Sequence, residues 1–179
     1  MGCDDSGRAS VKKLLTRRRQ GSLSLPSRPD HEQSTLGAKT VKIEGGCHCG
    51  AIRYEAVINT DYVVICHCTD CQAMSGAPYR VNVPVSTAEF TLTGEPKRYV
   101  KIGGSGAEIV TTYCGTCGSP VYSCKGGSPR FVYLRLGGAR QRADLPPKMQ
   151  GFCASAMPWI WDIDAVRRVP EVPRENKPT

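Results

Sequence analysis

The chain has 179 residues, 40% of them apolar and 22% charged, with ten cysteines and a formal charge of +8. Those values suit one soluble domain with its own core, and a basic balance alone does not make a nucleic-acid binder. No stretch approaches a membrane span and the N-terminus lacks the apolar core of a signal peptide, so the expectation is a cytoplasmic chain whose cysteines hold metal or do redox work rather than form disulfides.

Residues 1–40 hold eight Lys or Arg against four Asp or Glu, which is half of the net charge, and show no sustained apolar periodicity. This segment is expected to be a disordered or weakly ordered basic extension. Its first residues, Met1-Gly2-Cys3-Asp4-Asp5-Ser6, fit the loose pattern for N-myristoylation. Lys12, Lys13 and Arg17 to Arg19 offer a basic run that contacts nucleic acid on one reading and is a solvated leader on the other. The absence of interleaved aromatics favours the leader.

A domain over residues 41–170 follows, ahead of a Pro-rich tail at 171–179. Alternation at Ile52, Tyr54 and Ala56 against Arg53 and Glu55 predicts a β-strand, and Phe131 to Leu134 reads as another. Further strands are expected over 79–84, 89–93, 98–102, 108–113 and 120–123, with a short helical turn over 70–75. Gly103-Gly104-Ser105-Gly106 lies between two of these strands. It reads as a hairpin loop, since a phosphate cradle would need a following helix and a Lys-Ser/Thr pair. The stretch from Phe152 to Ile163, with Trp159 and Trp161, is expected to form a packed final strand; the alternative is a wall of a ligand cleft.

Seven cysteines fall in three clusters, Cys47-His48-Cys49, Cys66-His67-Cys68-Thr69-Asp70-Cys71 and Cys114-Gly115-Thr116-Cys117. Cys114-Gly115-Thr116-Cys117-Gly118 has the form of a zinc knuckle, with glycines 115 and 118 free to take positive φ. A thioredoxin-like pair would need a helix at the second cysteine, whereas Ser119 to Tyr122 continues as extended chain. Cys47 and Cys49, one residue apart in a segment read as extended, are the natural partners for the knuckle and complete a four-sulfur site. Cys66, Cys68 and Cys71 then supply three ligands to a second ion.

Spacing alone also permits Cys47, Cys49, Cys66 and Cys68 on one metal and Cys71, Cys114 and Cys117 on the other. Cys124 or Cys153 would close the second site in a further variant, although both read more simply as buried, inert thiols. His48 and His67 sit between paired cysteines and are expected to face solvent, and Asp70 is read as capping a helical turn at Cys71. Arg53, Arg80, Arg98, Lys101 and Arg135 are candidate receivers of a substrate carboxylate, each read as an ordinary surface charge.

Taken together, Gly46-Cys47-His48-Cys49-Gly50, Cys66-His67-Cys68-Thr69-Asp70-Cys71-Gln72, Cys114-Gly115-Thr116-Cys117-Gly118-Ser119-Pro120 and Pro158-Trp159 resemble the domain of glutathione-dependent formaldehyde-activating enzymes and centromere protein V, over about residues 41–170. The resemblance implies a mainly β, Mss4-like fold of several twisted antiparallel sheets stapled by zinc. It implies two Zn²⁺ per chain: a structural ion on Cys47, Cys49, Cys114 and Cys117, and a catalytic ion on Cys66, Cys68 and Cys71. The activity it implies is that of a carbon–sulfur lyase joining a thiol, glutathione in the reference case, to formaldehyde. The rival reading, suggested by the centromere protein V branch, is a zinc-stabilised binding module whose basic tail contacts nucleic acid. An iron–sulfur or redox protein is a third, distinguishable by colour and iron content.

Overall fold

Strand pairing in the computed structural model, which describes residues 39–170, follows the alternation of the sequence. β1 (Thr40–Gly46) and β2 (Arg53–Asn59) form an antiparallel hairpin, with Thr40 opposite Asn59 and Gly46 opposite Arg53. β5 (Phe90–Thr93) pairs along β2 and completes a three-stranded sheet. Successive side chains of a strand point to opposite faces, so Tyr54, Ala56 and Ile58 are buried while Arg53 and Glu55 stay outside. The N-terminal extension, its myristoylation and nucleic-acid readings, and the tail at 171–179 lie outside the described residues.

The second sheet has seven strands. Their order is β10 (Met149–Gly151), β3 (Val64–Cys66), β4 (Arg80–Ser86), β9 (Phe131–Arg135), β8 (Pro120–Lys125), β7 (Glu108–Tyr113) and β6 (Lys97–Ile102). Every neighbouring pair is antiparallel except β10 with β3, so the sheet is mixed rather than wholly antiparallel. The mainly β expectation holds. β1, β3 and β10 lie outside the expected strands; β3 and β10, at three residues each, are too short to display a period.

One hydrophobic cluster joins the sheets, with Ile43, Ala56 and Ile58 from the smaller and Val83, Val85, Val121, Val132 and Leu134 from the larger. Burial of each such aliphatic side chain contributes roughly 1.5–3 kcal/mol. β4 is buried on both faces: alternation places Val83 and Val85 in this core, and Arg80 and Asn82 on the opposite side. α1 (Thr69–Ser75), the expected helical turn, packs against β4.

Gly103 to Ala107 closes the β6–β7 hairpin, with the Gly103 N–H donating to Ala107 O at 2.8 Å and Gly106 at φ +77°. The stretch after β10 departs from expectation: it forms 3₁₀ turns at Cys153–Ser155 and Pro158–Ala165, not a strand. Proline at the first helical position has no N–H to lose and a pre-set φ, which favours a turn there. Trp159 and Trp161 are consequently half-exposed, not packed as strand residues. Among the described residues no helix is long and apolar enough to cross a membrane.

Candidate metal centres

The β1–β2 and β7–β8 connections are built alike. After β1, the Cys47 N–H donates to Ile52 O and the Gly50 N–H returns to Cys47 O; after β7, Cys114 N–H donates to Ser119 O and Gly118 N–H to Cys114 O. Gly50 at φ +81° and Gly118 at φ +73° make both turns possible, since a β-carbon strains that conformation. Cys47 and Cys49 therefore converge through a tight turn, not the extended segment expected. The His48 N–H donates to Ser119 Oγ at 3.0 Å and locks one turn to the other.

Four sulfurs meet between these turns. Cys47 Sγ lies 3.5 Å from Cys49 Sγ, Cys49 Sγ lies 3.7 Å from Cys114 Sγ, and Cys117 Sγ completes a group whose donor atoms all fall within 4.8 Å. Sulfurs around a tetrahedral zinc stand about 3.8 Å apart, so the donor set fits that ion in both chemistry and spacing. The Ile52 N–H donates to Cys47 Sγ at 3.2 Å, and the Cys117 thiol is drawn down to about 5 by hydrogen bonds from the side chain and backbone of Ser119. Both contacts favour the thiolate, which is the ligating form.

The second group is Cys66 at the end of β3, Cys68 just before α1 and Cys71 within it. Their sulfurs also lie within 4.8 Å of one another, and among the described residues no fourth His, Cys, Asp or Glu joins them. Cys68 is the helix N-cap, its Sγ accepting the Cys71 N–H at 3.4 Å. Asp70, read from sequence as the cap, instead forms an ion pair with Lys101 at 2.6 Å, because the cap position falls two residues earlier. A shared hydrogen bond lowers the Cys66 pKa and, with burial, raises that of Cys71. The all-sulfur set fits a thiophilic divalent ion here too. Thus both cysteine groups are able to hold metal, divided as the four and the three.

Two arginines stand beside the three-thiol group. Cys66 is paired with Arg80 across β3 and β4, and Asn82 with Arg135 across β4 and β9; since positions 80 and 82 share a face, both arginines lie on the side of Cys66. Arg80 is 5% exposed and Arg135 7%, which overturns their reading as surface charges. Arg135 donates from Nη1 to Asn82 Oδ1. Burial pulls the Arg135 pKa down to about 10, with Arg80 pushing the same way and the thiols of Cys71, Cys66 and Cys68 opposing. Both guanidiniums remain charged at neutral pH. Arg53 and Arg98 are exposed, in keeping with surface charge.

His67 is the other correction. Its side chain is 1% exposed, held by Gln150 Oε1 at 2.7 Å from Nε2 and by ring contacts with Tyr79 and Trp161. Gln72 Nε2 and Ser155 Oγ both donate to His67 O. The imidazole is buried because the turn at Pro158–Ala165 folds over it, a long-range event. His48 is exposed as expected, Cys124 is buried, and Cys153 is exposed rather than buried. Thr69, Gln72, Ala73, Gly76, Met157 and Trp159 line an open cleft of about 580 Å³ along α1. Trp159 borders this cleft, whereas Trp161 packs against His67 instead.

A family profile described as glutathione-dependent formaldehyde-activating enzyme matches residues 42–155. A solved structure described as a Rhodobacter sphaeroides protein is similar at 16% identity and a TM-score of 0.48, covering 60% of this chain and 98% of that one. None of the curated proteins matches.

Proposed function

The chain belongs to the glutathione-dependent formaldehyde-activating enzyme family, and from that premise we propose that it is a zinc-dependent carbon–sulfur lyase joining a thiol to formaldehyde or a related carbonyl. The observation that carries this reading is the inequality of the two cysteine groups. Four sulfurs between two locked turns complete a tetrahedron and act as a staple; three sulfurs leave a corner for a substrate, and Thr69 and Gln72, the chain neighbours of Cys68 and Cys71, line the cleft along α1.

In the net reaction the thiol proton passes to the carbonyl oxygen while sulfur bonds to carbon, so formaldehyde and glutathione give S-hydroxymethylglutathione without oxidant or reductant. Zinc on Cys66, Cys68 and Cys71 would supply the Lewis acid that favours thiolate over thiol. The protein's own part is placement. Cys68 and Cys71 are fixed by the start of α1, Cys66 by its pairing in β3, and Met157 and Trp159 offer an apolar wall to the body of the substrate. On this reading residues 41–170 suffice, in a cytoplasm whose reducing conditions keep thiols free, and the basic extension is dispensable.

The test is zinc content per chain followed by adduct formation from formaldehyde with glutathione and with other small thiols. Turnover that survives deletion of residues 1–38 and varies with the thiol supports the proposal. A zinc-loaded chain that forms no adduct with any thiol, yet binds DNA in a salt-sensitive manner lost with residues 1–38, would establish the binding-module alternative.

A further inference from the structure

Arg80 and Arg135 are buried cations, and neither forms an ion pair with a carboxylate among the described residues. All three guanidinium nitrogens of Arg80 and Nε of Arg135 are out of contact with solvent and have no hydrogen-bond partner. A buried charge with unmet donors is costly unless opposite charge stands nearby and accepts those hydrogen bonds. Strand register places these two on the side of Cys66, and their electrostatic partners are the sulfurs of Cys66, Cys68 and Cys71.

Charge arithmetic then constrains what enters. Three thiolates around a divalent ion carry one net negative charge and the two guanidiniums carry two positive ones, which leaves the assembly one negative charge short of neutrality. We infer that the charges of Arg80 and Arg135 make the three-cysteine centre selective for a monoanionic ligand over a neutral one. The inference rests on the reading of this site as an open metal centre. It deepens that reading by assigning two positioning residues and the charge of the group admitted. A thiolate and a carboxylate share the required chemistry.

The experiment uses the full chain loaded with cobalt(II), whose visible bands report each ligand that joins the metal. Three probes are titrated: 2-mercaptoethanol, whose only ionisable group is its sulfur; acetate; and neutral imidazole. Arg80→Gln should weaken the anionic probes by about tenfold or more while leaving imidazole unchanged, and Arg80→Lys should retain most of the wild-type affinity. A response to 2-mercaptoethanol assigns the anion to sulfur, and a response to acetate alone assigns it to a carboxylate; either supports the inference. Equal weakening of charged and neutral probes, or none, overturns it. Should Arg80→Gln fail to fold, Arg80→Lys and Arg135→Gln carry the same comparison. A wild-type protein that shows the anion preference but makes no hydroxymethyl adduct loses the lyase assignment and keeps this one. Turnover with equal weakening of all probes gives the reverse.

Discussion

Cys68 serves twice, as a donor sulfur and as the N-cap of α1. Serine is a good cap but a poor partner for zinc, so Cys68→Ser should stay folded, within about 1 kcal/mol of wild type, while losing about one ion per chain and all turnover. Elemental analysis beside thermal denaturation checks both halves. Cys114 differs in being 2% exposed inside the core cluster, and Cys114→Ser should yield insoluble or unfolded protein. Tyr54 supplies a pH prediction. It is 4% exposed with its hydroxyl unpartnered, and burial pushes its pKa up. The folded state therefore keeps the phenolic proton where the unfolded chain releases it. That contribution is complete below the ordinary tyrosine value of about 10 and is lost as pH rises beyond it. Melting curves should show Tyr54→Phe at least as stable as wild type near neutrality, with a shallower alkaline decline.

At the scale of elements, glycines test which constraint is steric and which is conformational. A β-carbon on Gly45 in β1 would stand 2.3 Å from Gly138 O and 2.5 Å from the Tyr54 hydroxyl oxygen, and the first of these is backbone that cannot swing aside. Gly76 closes α1 at φ +62° with open space around it and its N–H on Gln72 O. Gly76→Ala should cost about 1 kcal/mol, the ordinary penalty for a β-carbon in the left-handed region, whereas Gly45→Ala should cost on the order of 3 kcal/mol. Urea midpoints for the two variants decide, and equal losses would contradict the packing described here. Seven of the ten strands are legible as short apolar runs bounded by Gly, Pro or Ser, with a clear two-residue period in β2 and β5. The turn at Cys47–Gly50 was misread as extended because one intervening residue suits either geometry.

For the molecule as a whole, the four-sulfur group links the tip of the small sheet to the β7–β8 turn of the large one. Closing so long a loop stabilises chiefly by restricting the unfolded chain. The three-sulfur group joins β3 to α1 within a single segment and closes almost nothing. Graded chelation should accordingly remove about one metal per chain with loss of turnover and an unchanged circular dichroism spectrum, and the second only with cooperative unfolding. Simultaneous loss of both ions and of structure would count against this division. The strand-rich class, the three cysteine clusters and the family can be read along the chain, because these depend on period and spacing within one segment. Folding is what buries Arg80 and Arg135 on the side of Cys66, encloses His67 and sets Trp159 at the border of a cleft. Alternation already set Arg80 and Asn82 on one face and Val81 and Val83 on the other, but which of two faces is covered depends on what packs there. Strand register and the fold of residues 149–165 supply that answer, and both are set by contacts between residues far apart in the chain.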